Sequence, residues 1–140
     1  MARKVLVFGT FDVIHPGHVN FLEQARKRGE YLSAVVARDS TVKKVKDHLP
    51  VKKENERLAE IQKIGLVDEA ILGNEGGDPY AVVRQISPDV ICLGYDQRTY
   101  VDGLQDELDR IGLKTKIFWM DPFYPKKYHS GIINQAIRGS

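Results

Sequence analysis

The chain has 140 residues, of which 42% are hydrophobic and 29% charged, with a net charge of +2. That composition is ordinary for a soluble globular protein and fits one domain, residues 1–140, with a real core. So small a net charge offers no broad basic surface for nucleic acid, the single cysteine leaves no intrachain disulfide, and no apolar run approaches the roughly 18 residues of a membrane span.

Met1, Ala2, Arg3 and Lys4 run straight into a short strand, so no signal peptide is expected and a cytoplasmic location follows. The first strand spans Lys4 to Phe8, and its unbroken apolar run predicts burial on both faces, as in a parallel sheet. A helix follows over Gly17 to Lys27, with Gly29 as its stop. Between them lie Gly9, Thr10, Phe11, Asp12, Val13, Ile14, His15, Pro16, Gly17 and His18. A glycine-containing turn from the carboxyl end of a strand into a helix is where ligands collect in an α/β sheet. The helix start presents backbone N–H groups with a partial positive charge, so phosphate is its natural guest. Pro16 fixes one backbone angle and Gly17 removes a side chain, which keeps both imidazoles near the helix mouth. Two imidazole donors there suit the stabilisation of negative charge on a phosphoryl group.

A second strand is predicted over Tyr31 to Ala37. The lysine-rich stretch Asp39 to Pro50 reads as a solvated loop or a short helix. It begins at a strand end on the same edge as the histidine turn, so Lys43 and Lys46 could reach over a triphosphate as point charges. A helix is predicted over Glu54 to Ile64, with Leu58, Ile61 and Ile64 on one face, Gly65 as its stop and Arg57 as a solvated surface arginine. A strand at Glu69 to Leu72 precedes a glycine-rich connector, with Asp78 as cap and Pro79 as first helical residue of a helix ending at Ile86. The apolar strand Asp89 to Leu93, with Cys92 as a buried thiol, ends in Gly94, Tyr95, Asp96 and Gln97, where Asp96 could accept from a ribose hydroxyl. A helix over Val101 to Ile111, a strand over Lys116 to Met120, a loop from Asp121 to Gly131 and a closing helix over Ile132 to Arg138 with Ser130 as cap complete the chain. Five strands alternating with helices predict right-handed βαβ units and a single-domain, doubly wound parallel α/β sheet of Rossmann-like form. No His, Cys or carboxylate cluster has zinc spacing, so no protein-held metal is expected.

The turn resembles the G-T-F-D-x-x-H-x-G-H signature of the HxGH nucleotidylyltransferase superfamily. With Val67-Asp68-Glu69, Leu93-Gly94-Tyr95-Asp96 and the position of Arg57, the likeness extends along nearly the whole chain. The pattern is similar to the glycerol-3-phosphate cytidylyltransferases. Through Val36 to Lys44 and Leu93 to Gln97 it is closer to the archaeal-type FAD synthases, which transfer AMP from ATP to FMN. The resemblance implies direct in-line attack of an acceptor phosphate on the α-phosphorus with loss of pyrophosphate. It implies His15 and His18 on the phosphates, Thr10 and Phe11 against the nucleotide, and Gly9, Pro16 and Gly17 framing the site. Asp12 would hold the turn, Asp96 would meet the nucleoside, and Lys43, Lys46 and Lys126 would offset pyrophosphate charge. It also implies Mg²⁺ entering with the triphosphate and a homodimer. The family's C-terminal phosphate motif is replaced by Lys126, Lys127, Tyr128, His129, Ser130 and Gly131, where Ser130 could still bond phosphate. Phe123, Tyr124, Tyr128 and Trp119 could line a slot for the flavin ring. The expected reaction is ATP and FMN to FAD. CTP-dependent transfer to glycerol-3-phosphate or a related polyol or sugar phosphate is the alternative, and a nucleotide-binding regulatory protein without turnover is the reading from another class.

Overall fold

The computed structural model describes residues 3–74, 80–94 and 103–120, the side chains of Val45 and Lys46 excepted. The strands are β1 (Lys4–Gly9), β2 (Tyr31–Val36), β3 (Glu69–Leu72), β4 (Val90–Leu93) and β5 (Lys116–Trp119). The helices are α1 (Pro16–Arg26), α2 (Asp39–Lys46), α3 (Glu54–Lys63), α4 (Tyr80–Ile86) and α5 (Leu104–Arg110). All strand pairings are parallel, and the order across the sheet is β3-β2-β1-β4-β5. The doubly wound parallel sheet expected from the alternation of elements is therefore present. The lysine-rich stretch after β2, left open between loop and helix, is helical over Asp39–Lys46. The closing helix expected over Ile132 to Arg138 lies outside the described residues.

Side-chain alternation along each strand divides the core into two layers. On one face Val5, Val7, Leu32, Ala34, Val36, Val90 and Cys92 pack with Leu22 and Ala25 of α1 and Ile61 of α3. On the other, Leu6, Phe8, Val35, Ile91 and Leu93 pack with Val82 and Val83 of α4 and Leu104 and Leu108 of α5. The apolar run of β1 thus has a helix layer against each side. Leu22 and Leu108 are fully buried, and burial of one such side chain contributes about 1.5–3 kcal/mol. Cys92 belongs to this core, and burial pushes its thiol up to about 11, which leaves it a small hydrophobe and no nucleophile. Among the described residues no helix is long and apolar enough to cross a membrane.

Strand order decides where a ligand can sit. From β1 the chain moves outward to β2 and β3, then returns to the other side of β1 as β4. The crevice outside the carboxyl ends of β1 and β4 is the switch point, where neighbouring connections leave in opposite directions. The turn from Gly9 to His15 leaves β1 there, and Gly94 leaves β4 there.

Candidate active site

The turn after β1 is built around the ring of Phe11. This residue has φ of 51°, in the left-handed region that side chains seldom adopt. The conformation folds the ring back over Gly9, where an added Cβ would lie 2.6 Å from Cζ and 2.7 Å from Cε2. Only glycine leaves room for that return. The ring is 1% exposed and meets His18 edge-on, with centroids 5.7 Å apart. Phe11 therefore presents backbone, and not its ring, to anything bound in the crevice. Thr10 is also buried, and its carbonyl is taken by Arg57.

The two histidines cap α1 reciprocally. His15 is the N-cap in extended backbone, and its Nδ1 accepts from Gly17 N–H at 3.0 Å. His18 Nδ1 accepts from His15 N–H at 3.2 Å. This repeats the logic of a capping box with imidazoles in place of serine and glutamate. Pro16 opens the helix, where its missing N–H costs nothing. The rings are stacked, with centroids 3.8 Å apart and planes 30° from parallel.

The caps also fix the tautomer. A backbone N–H can only donate, so each Nδ1 must offer a lone pair and each ring proton resides on Nε2. Both Nε2 atoms are buried. The two side chains thus form a fixed pair of N–H donors beside the positive end of an eleven-residue helix. Such donors, set before any charge develops, suit an oxyanion on phosphorus.

Asp12 holds the turn by a long-range tie. Its carboxylate reaches a distant segment, accepting from Val51 N–H at 2.7 Å and Lys52 N–H at 2.8 Å. Expected to hold the turn, it does so by joining the turn to the chain entering α3.

Arg57 is the residue that sequence reasoning missed. It was expected on the surface and is 0% exposed. Nη1 donates to Thr10 O at 2.8 Å and to Ala37 O at 2.6 Å, Nε donates to Lys52 O at 3.0 Å, and Nη2 pairs with Asp39 Oδ1 at 2.6 Å. Helical spacing held the signal, because Arg57 lies four residues before the buried Ile61 and shares its face. Around this centre Ala37 N–H donates to Gly9 O at 2.9 Å, while Glu54 accepts from Asp39 N–H at 2.9 Å and from Arg38 at 3.1 Å.

Of the lysines, Lys43 lies exposed on α2 and Lys46 is its last residue. Helix α2 starts three residues beyond β2, next to β1, so it stands on the same sheet edge as the histidine turn. Trp119 closes β5 on that edge and is exposed. Asp96, Phe123, Tyr124, Lys126, Lys127, Tyr128, His129, Ser130 and Gly131 lie outside the described residues. Among the described residues no group of three or more His, Cys, Asp or Glu could hold a metal ion. Asp12 in the turn and Asp39 at the start of α2 are committed to Val51, Lys52 and Arg57.

Comparison with known proteins identifies the family and the fold. The family described as cytidylyltransferase-like matches residues 6–136. A protein of Methanobrevibacter ruminantium called FAD synthase is 47% identical over 116 residues, spanning 81% of this chain and 76% of that one. The FAD synthase of Methanobrevibacter smithii is 42% identical over 139 residues, 97% of this chain and 87% of its own. A crystal structure described as a lipopolysaccharide core biosynthesis protein from Thermoplasma volcanium matches with a TM-score of 0.83 at 39% identity, covering 89% of this chain and 100% of the other. The chain belongs to the cytidylyltransferase-like family, in which it stands among proteins called FAD synthase.

Proposed function

We propose that this protein transfers the adenylyl group of ATP to FMN, forming FAD and releasing pyrophosphate. The observation that carries the chemistry is the stacked imidazole pair at the start of α1, with both Nδ1 atoms held by backbone N–H groups. The choice of ATP and FMN is supported by the relatives called FAD synthase, at 47% and 42% identity.

A terminal phosphate oxygen of FMN attacks the α-phosphorus of ATP. The new bond is P–O–P, and the bond broken links the α-phosphorus to the oxygen bridging it to the β-phosphorus. Pyrophosphate departs with that oxygen. No protein nucleophile takes part. The protein's share is placement of the two phosphates and stabilisation of the charge that develops between them. The Nε2–H groups of His15 and His18 donate to oxygens of the α- and β-phosphates. Gly9, Thr10, Phe11, Pro16 and Gly17 shape the turn that brings those donors to the crevice. Lys43 and Lys46, both in the α2 segment, are assigned to offset charge on the leaving pyrophosphate. Asp96 is assigned to the nucleoside, Lys126 and Ser130 to the phosphates, and Tyr124 to the flavin ring.

Mg²⁺ is the metal of this reading, and it supplies charge neutralisation on the triphosphate when bound. It would enter with the triphosphate, as magnesium commonly keeps phosphate oxygens and water as its ligands.

The test is pyrophosphate release with Mg²⁺ in two matched reactions, one with ATP and FMN and the other with CTP and glycerol-3-phosphate. Release in the first, with FAD identified by chromatography, is the expected result. Release in the second alone would transfer the protein to the polyol-phosphate cytidylyltransferases.

A further inference from the structure

Arg57 has no part in the reaction just described, yet it is among the largest fully buried side chains of the described residues. A buried guanidinium is costly unless its N–H groups find acceptors. A leucine at this position, on the face of Ile61, would join the core without that demand. The four acceptors of Arg57 belong to three separate segments. They are the turn after β1 (Thr10 O, 2.8 Å), the β2–α2 connection (Ala37 O, 2.6 Å, and Asp39 Oδ1 of the first residue of α2, 2.6 Å) and the entry to α3 (Lys52 O, 3.0 Å). Lys52 is held twice, at its carbonyl by Arg57 and at its N–H by Asp12 of the turn. The histidine turn and helix α2 are thus both fastened to one rigid side chain on α3.

We propose that Arg57 is a positioning residue, which through Thr10 and Asp39 sets the histidine turn and the lysine-bearing helix α2 at a fixed spacing across the triphosphate. The assignment rests on the phosphate-transfer reading of the site. It explains why arginine is required: the guanidinium has five N–H donors in a planar fork, whereas a lysine ammonium has three and no fork. An ammonium cannot serve all four acceptors.

The test compares Arg57→Lys with Asp39→Asn and with Ile61→Val, a core change on the same helix that leaves the turn alone. Small displacements of reacting groups cost about 100-fold in rate. In FAD formation, kcat of Arg57→Lys is expected to fall by about that factor while KM for FMN stays within about threefold. Asp39→Asn keeps an acceptor oxygen but loses the charge, and is expected to fall by about 10-fold in kcat. Ile61→Val is expected to lose melting temperature while keeping kcat. If Arg57→Lys does not fold, Asp39→Asn carries the comparison. The proposal is overturned if the Arg57 or Asp39 variant keeps wild-type kcat, if KM alone changes, or if Ile61→Val loses kcat equally. Absence of FAD formation by the wild type would count against the AMP-transfer reading alone. ATP affinity by calorimetry then decides: weakening by about 10-fold in Arg57→Lys but not in Ile61→Val supports the positioning role, and equal affinities reject it.

Discussion

Single atoms govern the turn after β1. Gly9 lacks a Cβ because the Phe11 ring occupies that space, and Phe11 accepts a left-handed backbone to put it there. Gly9→Ala is therefore expected to cost about 1–3 kcal/mol, as overpacked sites do, and to reduce turnover as the ring is pushed toward His18. Denaturant titration and initial rates on the same preparation check both effects. Asp12→Asn keeps the shape of the side chain but loses the charge that strengthens its bonds to Val51 and Lys52. We expect a stability loss of about 1 kcal/mol by the same titration, with faster amide exchange at Val51 and Lys52. Unchanged exchange at both amides would show that Asp12 does not fasten that segment in solution. The sequence pattern pointed to the histidines because they are adjacent in the chain and their spacing is their chemistry. It did not reveal the partners of Asp12 or the burial of Arg57, because those bonds span 39 and 47 residues, and no local period encodes such a bond.

The sheet edge is organised by helices that start there. Helix α1 brings its positive end and two imidazoles, α2 brings Lys43, and α3 brings the arginine that joins them. Lys43 is exposed on α2, so the contribution proposed for it to phosphate binding is a point charge screened by salt. Lys43→Ala is expected to raise KM for ATP several-fold at low ionic strength and progressively less as salt is added. A salt-independent change in kcat alone would contradict that role. Strand β1 was legible in the sequence because burial on both faces demands an unbroken apolar run. Helix α2 was not, because one small buried side chain, Val42, anchors its described part, and exposed lysines suit a loop as well as a helix. The α3 face was legible in its apolar residues, yet its most buried polar member was hidden by charge. A charged residue is normally assigned to solvent, and only the full set of acceptors in the folded chain offsets burial of a guanidinium.

At the scale of the whole molecule, parallel strands in the order β3-β2-β1-β4-β5 place all these helix starts at one crevice. Electrostatic ties away from the site fasten the frame. Asp68 is held below its usual value of 3.8, first by the N–H of Leu32 and then by Arg26 of α1. A carboxyl lowered in the folded state contributes stability that is complete above the unfolded value and is lost as pH falls through the folded one. Asp68→Asn is therefore expected to be less stable than the wild type at neutral pH, with the gap closing as pH falls below about 3.8. Urea midpoints measured from neutral pH downward check the sign, and a gap that widened in acid would be the wrong one.

On the proposed function, the imidazole pair drives AMP transfer to FMN without a covalent enzyme intermediate. This is tested most directly by following ATP labelled at the α-phosphorus in the wild type and in a folded His18→Ala variant. Label is expected to pass into FAD with no labelled protein at any time, at a rate on the order of 100-fold or more lower in the variant. Label trapped on the protein, or an undiminished rate without His18, would contradict it.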